Sequence, residues 1–156
     1  MKKRLFVSLM IGFILLILAY CQPYKLVVVV GQSMAPTYKD RQILLAKKTK
    51  YFKKSDVVVA RSDDGSLIVK RILYTPEEYY YYSIKKYGQV QLIIDNSYRS
   101  ILKTKNIENA FMMECKVQKN HYYLIGDNLD HSDDSRRFGP IQEDEILYKV
   151  IQWILD

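Results

Sequence analysis

Three stretches of this chain carry the residue types that nucleophilic chemistry needs. The first is Gly31-Gln32-Ser33-Met34-Ala35-Pro36-Thr37. It follows the apolar run Leu26-Val27-Val28-Val29-Val30, whose β-branched content and length predict a buried strand. A strand that runs into Gly-x-Ser and then Pro holds a serine hydroxyl at a strand end, on backbone fixed at both sides. That is the placement a nucleophile requires. Gly, Ser and Pro also punctuate ordinary turns, so these seven residues alone leave both readings open.

The second stretch is Leu67-Ile68-Val69-Lys70-Arg71-Ile72-Leu73. In strict alternation Ile68, Lys70 and Ile72 share one strand face, while Val69, Arg71 and Leu73 share the other. One of the two charges must sit among apolar neighbours unless the strand is an edge, where lysine is common. A lysine desolvated by its own face becomes a free base near neutral pH. The third stretch runs from Gly126-Asp127-Asn128-Leu129-Asp130-His131 through Ser132-Asp133-Asp134-Ser135-Arg136-Arg137 to Phe138-Gly139-Pro140-Ile141. A polar loop is ordinarily a solvated one. This loop is dense in side chains that bond backbone and one another, with glycine near each end, and suits a rigid support.

The elements that must position these residues read as short strands. Gln42–Ala46, Asp56–Ala60 and Leu67–Leu73 follow the first motif, with Asp64-Gly65 as a tight-hairpin signal before the last. Tyr79–Ile84 and Gln89–Ile94, joined through Tyr87-Gly88, predict a second hairpin. Residues 98–118 have no clear period, and Ile107–Met113 reads as a short helix. Tyr122–Ile125 leads into the polar loop, and Ile146–Leu155 closes the chain as a strand. The expected fold is mainly β, two antiparallel sheets in one domain.

The 156 residues allow one domain with a modest core, and there is no repeat or low-complexity segment. The formal net charge is +7, part of it from Lys2, Lys3 and Arg4. The other cations form no arginine-rich or aromatic-interleaved stripe, so nucleic acid is not an expected partner. The lysines from Lys47 to Lys54 suit anionic lipid headgroups better.

Residues 5–24 are uncharged, and twenty residues at helical rise span ~30 Å, a bilayer core. A cleaved leader would want a small-residue exit, which is absent before Gln22. Leu18-Ala19-Tyr20-Cys21 faintly resembles a lipoprotein processing site, but bulky Tyr20 stands where a small residue belongs. The expectation is one uncleaved transmembrane helix within residues 1–24, its basic end cytoplasmic, with residues 25–156 exported as the catalytic domain. Cys21 and Cys115 are expected to be free, and no cysteine–histidine cluster has metal-ligand spacing.

Taken in order, Gly-x-Ser-Met-x-Pro-Thr, a Lys-Arg pair after a hairpin, and Gly-Asp-Asn-x-x-x-Ser-x-Asp-Ser-Arg-x-x-Gly resemble the motifs of the type I signal peptidase family. The resemblance covers the anchor and the chain from about Lys25, with residues 79–118 as the variable part. It implies Ser33 as nucleophile, Lys70 as general base and Ser132 as the hydroxyl that holds the lysine. It implies Asp134 and Arg136 as a supporting ion pair, with Asp127 and Asn128 in the same box. Met34 and Val69 would border the pockets for small substrate side chains, and Gly31 and Ser33 the oxyanion region. Many relatives carry a serine at the position of Gly31, an Arg at that of Leu129 and a Gly at that of Ser55.

Members of that family are membrane-anchored endopeptidases that cut exported preproteins after small residues at −1 and −3. The implied partners are preprotein signal peptides, the lipid bilayer and the secretion machinery, with no cofactor and no metal. A competing reading is an inactive or weakly active relative that holds extended segments by strand addition. A soluble self-cleaving repressor would share the two residues but need a DNA-binding segment in place of the anchor. A Ser33, His131, Asp134 triad is conceivable on composition. Asp134, however, lies three residues from His131 in the same loop, where pairing with Arg136 competes.

Overall fold

The computed structural model describes residues 6–13, 16, 23–84, 90–93 and 111–151. Among these residues there are ten strands: β1 (Tyr24–Val28), β2 (Ile43–Lys47), β3 (Val57–Arg61), β4 (Leu67–Tyr74), β5 (Tyr79–Ile84), β6 (Val90–Ile93), β7 (Phe111–Lys116), β8 (His121–Ile125), β9 (Ile141–Gln142) and β10 (Ile146–Ile151). The larger sheet has the order β1-β2-β10-β3-β4-β8-β9, and the smaller one the order β6-β5-β7. Every pairing is antiparallel. The mainly β expectation with two antiparallel sheets holds.

The β3–β4 hairpin follows from its turn chemistry. Gly65 takes φ +82°, and the Ser62 carbonyl accepts the Gly65 N–H at 2.8 Å. The Asp64 carboxylate accepts from Ser62 and from the Ser66 N–H, closing the turn. β10 lies between β2 and β3, pairing Val150 with Ala46 on one side and Lys149 with Val58 on the other.

Among the described residues three apolar clusters form the core. Val29, Met34, Tyr38, Leu44, Val57 and Val59 belong to the first, beneath the Ser33 turn. Val58, Ile72, Leu124 and Ile146 belong to the second, and Tyr74, Tyr80 and Tyr123 join Val117 in the third. That third cluster carries the small sheet on the large one, with the Tyr80 and Tyr123 rings 4.8 Å apart.

Two expectations need correction. Leu26–Val30 is not a buried strand: β1 is the outer strand of its sheet, and Leu26, Val28 and Val30 are all exposed. β-branched content favours a strand but does not say how many faces are covered. Phe111–Met113, expected at the end of a helix, instead opens β7, which pairs with β5 across residues 79–84. Long-range pairing overrides a weak local preference.

Residues 6–13 are helical. Among the described residues no helix is long and apolar enough to cross a membrane. The rest of the expected anchor, Cys21 and most of residues 85–110 lie outside the described residues, and Cys115 is a free, half-buried thiol.

Candidate active site

Ser33 stands in the turn between β1 and β2. Gly31 enters that turn at φ +86°, a conformation that glycine adopts without strain, and donates its N–H to Asp40 Oδ1 at 2.7 Å. The turn closes through Ala35 N–H to Gln32 O and Tyr38 N–H to Met34 O. Met34, the residue after the serine, is fully buried and anchors the turn in the first cluster. The Ser33 carbonyl accepts the Asn128 N–H at 3.0 Å, while among the described residues nothing accepts the Ser33 N–H. That amide is therefore available to an oxyanion, whereas the Gly31 amide is already committed to Asp40.

Lys70 lies mid-β4 opposite Val58 and is 4% exposed. It is not the solvated edge lysine that the alternation also allowed. Among the described residues no acceptor is within hydrogen-bond distance of its amine and no carboxylate is paired with it. Burial lowers its pKa from the ordinary lysine value. The charges of Asp134 and Asp133 oppose that shift, and Arg136 adds to it.

Ser33 and Lys70 line one groove of about 380 Å³, formed by the outer part of β1, the first half of β4, and Tyr148 from β10. Val69 lines it too and packs on the first cluster, so Met34 backs the groove from below without reaching its surface. A larger cleft of about 810 Å³, bordered by Lys48, Lys50, His121 and Glu143, holds neither Ser33 nor Lys70. The smaller groove is the candidate site because Ser33 and the buried, unpaired Lys70 both line it.

The loop after β8 builds the support. Asp134 is 1% exposed, and its carboxylate collects several donors. Arg136 donates Nε at 2.8 Å and Nη2 at 2.9 Å, Gly126 its N–H at 3.0 Å, and Ser132 its hydroxyl at 2.6 Å. It also caps the short helix Ser135–Phe138 by accepting the Arg136 N–H. Burial alone would push the Asp134 carboxyl up, but Arg136, Gly126 and Ser132 together bring it below its ordinary value. The Ser132 proton therefore points to Asp134.

Arg71 was legible only as the charge on the opposite strand face from Lys70. It forms a bidentate pair with Asp127, Nε to Oδ1 at 2.7 Å and Nη2 to Oδ2 at 2.6 Å, and donates Nη1 to the Ser55 carbonyl. Burial raises the Asp127 carboxyl, and bonds from Arg71 and Thr37 outweigh it, so the net shift is downward. β4 is thus fastened to the Gly-Asp-Asn loop one residue from Lys70. At Leu129 the backbone carbonyl accepts from Arg136, and the side chain is exposed. His131 is exposed at the end of a 3-10 turn and does not line the groove. Tyr148 reaches the groove from β10 with no signal in its sequence neighbourhood.

The family model described as signal peptidase, peptidase S26, matches residues 2–154. Signal peptidase IB of Staphylococcus aureus strain Mu50 is 29% identical over 173 aligned residues, covering 96% of this chain and 89% of the relative. Signal peptidase IB of strain COL is 42% identical over a shorter stretch of 48 residues, 31% of this chain and 25% of the relative. By class this is a serine peptidase. The chain belongs to the type I signal peptidase family.

Proposed function

We propose that the chain removes signal peptides by a Ser/Lys dyad. The observation that carries this is the shared groove of Ser33 and a buried Lys70 without a paired anion. Neutral Lys70 takes the proton from Ser33 Oγ as that oxygen attacks the peptide carbonyl. The tetrahedral oxyanion meets the Ser33 N–H, a donor of a kind worth ~3 kcal/mol. The lysine ammonium returns the proton to the leaving amine. The free amine then activates the water that releases the acyl-enzyme.

Cleavage after small residues at −1 and −3 fits a groove floored by Val27, Val29, Val59 and Val69, whose branched side chains leave shallow hollows. Residues 1–24 act as a single anchor with Lys2, Lys3 and Arg4 cytoplasmic, and residues 25–156 as the exported catalytic domain, variable across 79–118. Its partners are then preproteins, the bilayer and the secretion machinery. The open outer edge of β1 also suits plain strand addition by an inactive relative. Retention of both Ser33 and Lys70 favours the enzyme.

The test is cleavage of a preprotein with an Ala-x-Ala exit by detergent-solubilised protein. Ser33→Ala and Lys70→Ala should each remove nearly all cleavage, and His131→Ala should leave most of it. A Lys70 variant that still cuts, beside an inactive His131 variant, would leave only the nucleophile standing. Binding of the preprotein without cleavage by the unaltered protein would favour the binding factor.

A further inference from the structure

We propose that Lys25 selects the charge of the substrate about five residues before the scissile bond, favouring an acidic side chain and disfavouring a basic one. The proposal rests on the reading of the Ser33 groove as the substrate channel. Lys25, Val27 and Val29 share one face of β1 by alternation, and Val27 and Val29 pack into the cluster that floors the groove. Lys25 continues that row and lines the same groove, at the end of β1 opposite the one that leads into Ser33. Among the described residues no carboxylate pairs with it, and none of the groove's lining residues is acidic. The far end of the channel therefore presents an uncompensated cation to whatever lies there.

The spacing identifies the position. From Lys25 the chain runs through β1, which ends at Val28, and on to Val30, a span of ~17 Å if extended at ~3.3 Å per residue. The acyl half of the substrate stays in the groove while it is bonded to Ser33, so an extended peptide reaches Lys25 with −5 or its neighbour −6. The side chains at −1, −3 and −5 share one face, so −5 is the one turned toward the row that Lys25 continues. An aspartate or glutamate there meets the free ammonium, and a lysine or arginine meets its repulsion. Half-exposed pairs of this kind are modest, so the effect is a preference and not a requirement.

The experiment uses full-length protein in non-ionic detergent and peptides with an Ala-x-Ala exit carrying Asp, Asn or Lys at −5, with a parallel set at −6. The expected kcat/KM for Asp exceeds that for Lys by about three- to fivefold at one of these positions, and the ratio shrinks at high salt. Lys25→Gln brings the ratio to about one, and Lys25→Glu reverses it. Equal rates for Asp and Lys in the unaltered protein, or an unchanged ratio in Lys25→Gln, would overturn the assignment. Cleavage of the Asn peptide and its loss in Ser33→Ala test the channel itself. Should the Asn peptide not be cut, anisotropy binding of the labelled Asp and Lys peptides decides the charge preference by the same ratios.

Discussion

The backbone N–H of Asn128 donates to the carbonyl oxygen of Ser33 at 3.0 Å, tying the loop after β8 to the nucleophile's own peptide group. The neighbouring Gly126 is buried against the same carbonyl. A Cβ there would lie 2.6 Å from the Ser33 oxygen and closer still to the Ser132 side chain. Two loops that come from opposite ends of the chain meet with no room for a methyl group.

Gly126→Ala is therefore expected to harm both folding and catalysis. One obstructing atom belongs to backbone, which cannot swing aside as a flexible side chain does, and overpacking of this kind costs about 1–3 kcal/mol. A thermal scan should show the lower melting temperature, and kcat/KM should fall further than the stability loss alone explains, because the shift falls on Ser33. Unchanged turnover would mean that the two loops slide freely.

Lys70→Met should abolish cleavage yet stabilise the protein at neutral pH. Burial lowers the lysine pKa in the folded state, so the unfolded chain binds more protons at any pH between the folded and the ordinary lysine values. Stability thus rises with pH across that window, and below it the buried charge is fully penalised. The variant's advantage in melting temperature should fade as pH climbs to the ordinary lysine value. A variant less stable than the parent at pH 7 would show that the amine is compensated after all.

The Arg71–Asp127 pair should behave as a fastening between β4 and its neighbouring loop. Breaking a buried pair costs about 3–5 kcal/mol, and the 29% exposure of the Arg71 side chain brings the expectation down to about 2. Arg71→Lys and Asp127→Asn should each lower the melting temperature, and the double variant should cost much less than their sum. Asp127 and Asp134 titrate below the ordinary carboxylate range, so the stability they supply is complete above that range. It is lost as pH falls through their lowered values. Asp127→Asn should accordingly show a shallower acid decline in melting temperature than the parent.

The strand-end place of Ser33 and the apolar strand face of Lys70 were legible from residue type and alternation, although these alone left an ordinary turn and an edge lysine open. A hydroxyl after Gly-x and a lysine on an apolar strand face are local facts. The hairpin at Asp64-Gly65 was legible for the same reason. Other features depend on what the chain meets far away. Leu26 and Val28 look like core residues, yet no second layer covers them in this structure. The run 111–116 has no period of its own and becomes a strand because β5 offers an edge. Tyr148 enters the groove because β10 lies where it does, and no residue near position 148 announces that placement. The role of Asp40 as acceptor for Gly31 likewise needs the turn to be closed before it exists.

The central place of β10 bears on when the frame of the site is complete. Ser33 belongs to the β1–β2 hairpin and Lys70 to the β3–β4 hairpin. Within the sheet those two hairpins meet across β10, which is made after all the other strands. A chain still emerging, with residues up to Glu145 available, has Ser33 and Lys70 on hairpins that only the loop after β8 joins, because the strand between them in the sheet is missing. The sheet that holds Ser33 and Lys70 in register is thus completed only when β10 takes its place between β2 and β3.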